Sequence, residues 1–336
     1  MIAVFTVLGL LVLGVVGLKT VSFVLKHNDS TTTSSPSIPT SSATSTEPTE
    51  PTVGPSTRNV PTPTRPTTTR PTTQPPRPTT TRSTTTSKPT TNPGPSDSDL
   101  VLKNSLYTKG GAMASVRCKE SKSRPSTAAG ARANYKNLLA CLNKAWAPII
   151  TKAGGRFRAP RLVAWSGSVT SPCGTYQDSY TPFTCSTNDT IYMNMTEDLG
   201  NYNRYSQSYQ KIWARMWMLH QFAHEYGHHV QINMGIFQAY ARIRYERPTE
   251  AMELQDSRRL ELQASCFSDI FIGANRSTYP VTGEAQHQWR WLIGHVTDLK
   301  NDHGDANNHQ YWALRGYNAR NAKACNTFAA SAAKVQ

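Results

Sequence analysis

No cysteine occurs before Cys118, and none of the six that follow forms a C-x-x-C pair. The second absence excludes a zinc knuckle or a thioredoxin-type redox site. Acidic residues are scarce too: 21 Asp and Glu stand against 36 Lys and Arg, a net charge of +15. The cations are scattered, however, and no zinc-finger, RNA-binding-sheet or basic-zipper signature accompanies them, so no nucleic-acid partner is expected. The excess suits a basic surface beside an anionic envelope, with anionic cell-envelope polymers as a partner class. The six cysteines, Cys118, Cys141, Cys173, Cys185, Cys266 and Cys325, imply disulfides in a chain with export features. Six allow about fifteen connectivities, among which sequence cannot choose; the set 118–141, 173–185 and 266–325 is favoured.

The start of the chain lacks both the basic opening and the small-residue cleavage site of a signal peptide. Residues 2–18 are apolar apart from Thr6, Lys19 and Thr20 interrupt, and Val21, Phe23, Val24 and Leu25 resume the run. At about 24 residues it can cross a hydrocarbon core of ~30 Å. Residues 1–26 are therefore read as a single-pass membrane anchor; cleavage there would make the protein secreted. Lys19 and Lys26 argue against an outward C-terminal side, since positive charge is sparse there. Residues 27–98 outweigh them. They are Ser/Thr/Pro-rich, with Arg-Pro recurring at 65–66, 70–71 and 77–78, the composition of a disordered, O-glycosylated extracytoplasmic stalk. From Asp99 onward 238 residues remain, enough to bury a sizeable core. The first 98 residues hold eight Lys/Arg and four Asp/Glu, so +11 of the +15 falls on this part.

Its periodicities are mixed. Tyr135–Ala147 predicts a helix; Arg161–Trp165 and Thr190–Asn194 predict strands. The strongest helical signal covers 205–234. A second long helix is predicted from near Thr249 to about Phe271, with Leu260, Ala264, Phe267 and Phe271 as its apolar stripe. Sparse strands beside long helices give an α+β fold.

The informative motif is His224-Glu225-Tyr226-Gly227-His228. Chance would produce H-E-x-x-H in a chain of this composition roughly 0.01 times. On a helix, His224 and His228 lie one turn apart on the same face, so both imidazoles reach one ion. Glu225 lies about 100° around, placed to touch a metal-bound water. Two buried-facing His and a Glu without paired charges would be costly in a metal-free core. His220 extends the stripe, but eight residues at ~1.5 Å put it ~12 Å from His228, too far to share an ion; it reads as a packing or supporting residue. His229 points off the stripe, toward solvent or a local hydrogen bond. A third His ligand would need glycine at 231 and histidine at 234; Gln231 and Met234 exclude that class. A Glu from a following helix is the remaining common solution. Of Glu250, Glu253 and Glu261, the last has apolar neighbours, whereas the first two sit where a helix start favours carboxylates.

The segments Ala223–Gln231, Leu260–Phe267, His303-Gly304 and Ala324–Phe328, with Ser171–Gly174 and Pro182–Cys185, closely resemble the neutral zinc metallopeptidases of bacteria. The resemblance covers most of residues 100–330 and implies a zincin-like domain over 99–336. It implies Zn2+ as cofactor, with His224, His228 and Glu261 as ligands, Glu225 as the catalytic base, and a peptide or protein as substrate. His303 is the expected oxyanion donor, on this resemblance and because Gly304 permits close backbone approach. Such enzymes bind extended peptides along a strand edge, here expected at Thr190–Asn194. One departure stands out: Ser265 replaces the family's usual Asp four residues after the ligand Glu. It is expected to face a ligand His, with Asp269 one turn further as a substitute carboxylate. The competing reading is a catalytically weak zinc-binding module for anionic envelope polymers.

Overall fold

The computed structural model describes residues 94–336. The expected anchor and nearly all of the expected stalk lie outside the described residues. Among those described, no helix is long and apolar enough to cross a membrane. The first helix, α1 (Asp97–Leu102), starts two residues before the expected boundary, its N-cap being Ser96, whose hydroxyl accepts from the Asp99 N–H. Then follow α2 (Ser105–Lys109) and α3 (Ala128–Lys152), the latter longer at both ends than its apolar pattern predicts. Thr127 caps its start by accepting from Gly130 N–H.

Five short strands come next: β1 (Arg161–Trp165), β2 (Ser168–Ser171), β3 (Gly174–Gln177), β4 (Phe183–Cys185) and β5 (Thr190–Asn194). β2 and β3 form a hairpin; the other three form a sheet in the order β1-β5-β4, with β5 parallel to β1 and antiparallel to β4. The predicted strand Thr190–Asn194 is thus in the centre, wholly buried. Both of its edges are already paired, so it cannot accept a substrate strand; the expectation fails because strand order is set by nonlocal pairing.

The remainder is helical: α4 (Met195–Arg204), α5 (Ser208–Asn233), α6 (Ile236–Tyr245), α7 (Glu250–Asn275), α8 (Glu284–Ile293) and α9 (Ala306–Ala319). α5 ends where Gly235 adopts a left-handed φ of 74°, a conformation glycine enters at little cost. Thr249 caps α7 as its position predicts. From Leu262 to Asn275 every residue of α7 is buried, as expected for a helix enclosed on all sides by others. The described domain is therefore α+β, with α7 at the centre of the helices. Three disulfides, Cys118–Cys141, Cys173–Cys185 and Cys266–Cys325, match the favoured pairing. The second ties the β2–β3 turn to β4, and the third ties α7 to the C-terminal segment.

Candidate metal centre

α5 and α7 cross at Gly227. A Cβ there would stand 2.6 Å from the Ala264 carbonyl oxygen and 2.9 Å from its Cα, a clash with backbone that only glycine avoids. This close approach brings Glu261, one turn before Ala264, against the imidazoles of His224 and His228. Their Nε2 atoms lie 3.2 and 3.1 Å from the same Glu261 Oε2. One ligand atom from each of the three lies within 4.8 Å of the others, and both rings are buried.

The outer ring nitrogens are supported. His228 Nδ1 lies 2.9 Å from Gln231 Oε1, while the Gln231 amide nitrogen donates to Leu260 O and Gln263 Oε1. The amide oxygen can only accept, so His228 carries a proton on Nδ1. His224 Nδ1 lies 2.9 Å from Ser265 Oγ, which places Ser265 on the site as its sequence position predicts. Asp269 does not substitute for a carboxylate there. Its Oδ1 accepts from Trp289 Nε1, and Oδ2 faces His220 at 3.7 Å.

Two imidazole Nε2 atoms this close to one carboxylate oxygen require a positive charge among the three groups. Burial holds His224 down to about 4. It opposes a charge on His228 as well, but Glu261 outweighs it and lifts that group to about 9. With near-equal distances, the two directions describe one proton held by one of a matched pair against an ionised Glu261. The centre needs a cation, and the chemistry of its donors fits zinc. A tetrahedral ion with bonds of ~2.0–2.1 Å sets its ligand atoms roughly 3.3 Å apart, close to the two spacings observed. Three protein donors leave a fourth position open, the arrangement of a catalytic rather than a structural zinc.

Glu225 is buried beside the trio. Thr184 Oγ1 of β4 lies 2.9 Å from its Oε2 and 2.8 Å from its backbone oxygen, fixing the carboxylate. Burial raises Glu225 to about 7, with His228 and the Thr184 hydroxyl opposing; that value suits a group that takes and returns a proton near neutrality. His303 reaches the centre from the loop between α8 and α9. The Asp298 carboxylate accepts from the backbone N–H of Asp302, His303 and Gly304 at 3.0, 2.8 and 2.6 Å, and Gly304 has φ +89°. His303 Nδ1 meets Asp302 Oδ1 at 2.5 Å, leaving Nε2 3.6 Å from Glu261 Oε2. The ring is half exposed and does not join the ligand trio.

The other candidates fall away from the site. Glu250 is exposed and Glu253 pairs with Arg244. His220 is buried against Asp269 and His309. His229 is fully buried, bonded to Arg158 O and Asn233, which removes the solvent-facing option. Sequence reasoning missed Thr184 and Asp302 as partners of the site and Gln231 as the support of His228. Only Gln231, three residues along the same helix, left a local signal.

A profile of the family described as "Putative neutral zinc metallopeptidase" matches residues 99–284, a stretch that contains the trio and Glu225 and ends before His303. The chain is also similar to the protein named "Uncharacterized protein YpfJ" in Escherichia coli strain K12 and in strain O6:H1. Each is 28 % identical over 214 residues, 58 % of this chain and 70 % of the relative. No solved structure matches the chain significantly.

Proposed function

The chain belongs to the neutral zinc metallopeptidase family, and on that premise we propose that it is a zincin-like metalloendopeptidase in which His224, His228 and Glu261 hold the zinc. The observation that carries this reading is the convergence of two supported imidazoles and one carboxylate beside the separately fixed carboxylate of Glu225. Zinc, when bound, supplies Lewis acidity that brings a water's pKa toward ~7 and polarises a peptide carbonyl. Glu225 takes a proton from the attacking water and returns it to the leaving amine. His303 donates through Nε2 to the carbonyl oxygen as charge develops on it, and Asp302 holds the ring in the tautomer that leaves a proton there.

β4 is an edge of the sheet whose three residues are all buried, and its Thr184 holds the Glu225 carboxylate beside the centre. The reading also puts the domain on the extracytoplasmic side, tethered by residues 1–26. The three disulfides support that location, as do the apolar run and the Thr/Pro-rich segment. Incubation of the purified chain with a peptide library tests the activity. Cleavage should stop when a chelator removes zinc and return when zinc is restored; cleavage indifferent to metal removal overturns the reading.

A further inference from the structure

Charge is unevenly distributed over residues 99–336. The stretch 112–147 has seven cations and one acid, Glu120, and so holds +6 of the +11 in about one-seventh of the length. Four cations, Arg117, Lys119, Lys122 and Arg124, lie on the segment before α3; the other three, Arg132, Lys136 and Lys144, lie on α3 itself. All seven are exposed. Glu120 is drawn inward by Arg215 at 2.5 Å, with Arg124 at 3.3 Å, so it leaves the rest of the face positive.

The segment is fastened to the helix. Lys144 Nζ meets Val116 O at 3.5 Å, Cys141 bonds to Cys118, Asn137 donates to Lys119 O at 2.9 Å, and Asn134 to Ser123 O at 2.8 Å. Positions 134, 137, 141 and 144 form one helical stripe. The segment therefore runs antiparallel along α3 and sets a second row of cations beside the helix row, over ~18 Å from 132 to 144 at ~1.5 Å per residue. The opposite side of α3 is core, including Leu138, Leu142 and Trp146. The basic face is thus turned away from the core. Among the described residues, the exposed large apolar ones are Leu102, Tyr209, Tyr245, Met252 and Leu299, none of them in this stretch. The face offers no ring for stacking bases and no apolar wedge for lipid.

We propose that this double row of cations is an exosite for a linear phosphodiester polymer of the cell envelope, which holds the domain to a polyanionic matrix through a surface separate from the metal centre. The choice of an envelope polymer rests on the extracytoplasmic location proposed above and does not depend on the peptidase reading. The test measures binding of fluorescent poly(glycerol phosphate) to the full chain against rising salt. Contact with about three or four phosphates should give a slope near −2 to −3 for the logarithm of affinity against that of salt. Lys119→Glu, Lys122→Glu and Lys136→Glu together should weaken binding about tenfold or more, without change in zinc content. The equally charged control Arg156→Glu, Arg290→Glu and Lys323→Glu should weaken it less than about threefold. Equal losses in the two variants would reduce the effect to net charge and overturn the exosite. Tighter binding of duplex DNA or of inorganic polyphosphate would overturn the assigned partner.

Discussion

α5 and α7 carry two pairings of histidine with a buried carboxylate, about two turns of α7 apart, and they behave oppositely. At the first, His224 and His228 aim Nε2 at one oxygen of Glu261, and Ser265 and Gln231 support their outer nitrogens. Glu261 stays ionised: its burial opposes the charge, but His228 and His303 outweigh it. At the second, His220 Nδ1 and Asp269 Oδ2 face each other at 3.7 Å, and neither atom has a hydrogen-bond partner. Burial lowers His220 to about 4 and raises Asp269 to about 8, so near neutral pH this pair is uncharged. The residue types are alike, and both carboxylates are largely withdrawn from solvent, Asp269 completely and Glu261 with 13% of its side chain exposed. What differs is convergence: two imidazoles closing on one carboxylate oxygen keep a positive charge among them, whereas a single His opposite a single Asp stays neutral.

The sharpest way to break the comparison is to remove each carboxylate in turn. Glu261→Ala should empty the zinc site and lower peptide cleavage by at least ~10³, whereas Asp269→Asn should leave zinc content unchanged. Metal analysis of both proteins decides it; an emptied site in Asp269→Asn would mean the second pair serves the metal. Next in size are the partners of the histidines. Asp302→Ala should lower kcat about 10–100-fold with KM within a factor of about 2, because the ring loses its tautomer rather than its place in substrate binding. Asp302→Asn should recover part of the loss. Gln231→Ala should weaken zinc about 10–100-fold, the usual consequence of removing a ligand's hydrogen-bond partner. Ser265→Asp sharpens the comparison in the other direction: a carboxylate 2.9 Å from His224 Nδ1 raises the basicity of the ligand and should tighten zinc up to about tenfold in competition titrations.

The smallest effect concerns stability. Burial raises Asp269 from 3.8 to about 8, so the folded protein holds a proton that the unfolded chain releases. This contribution to stability is complete below about pH 4 and is lost as pH rises toward 8. Asp269→Asn keeps an acceptor for Trp289 but does not titrate. Its melting midpoint should therefore fall less than the parent's between pH 5 and pH 8, by about 2–4 °C for each ~1 kcal/mol that the held proton contributes.

The comparison also explains what was legible in the sequence. The long helices and both predicted strands follow from local periodicity, as does the position of Ser265, one turn after Glu261 on the same helix. His224, Glu225 and His228 come together for the same reason: they occupy one stretch of helix. Glu261 could be singled out by its apolar neighbours, although the contact that brings it in depends on Gly227 meeting Ala264, which no local pattern encodes. Thr184 and Asp302 reach the site from a sheet edge and a loop, and their partners are distant in sequence. The role expected for Thr190–Asn194 failed on the same ground, since a strand's own pattern does not say which strands flank it. Asp269 was misread because helical spacing gives a direction, while Trp289, on another helix, decides which atom the side chain meets.

In the proposed reaction Glu225 acts on water while His224, His228 and Glu261 hold the metal. Its most direct test is the zinc-loaded Glu225→Gln protein, assayed on the best peptide found for the parent. Zinc should remain at the parent's stoichiometry with peptide cleavage at least ~10³ lower, a loss consistent with removal of the proton-transferring group. Cleavage at the parent's rate with zinc in place would contradict the account.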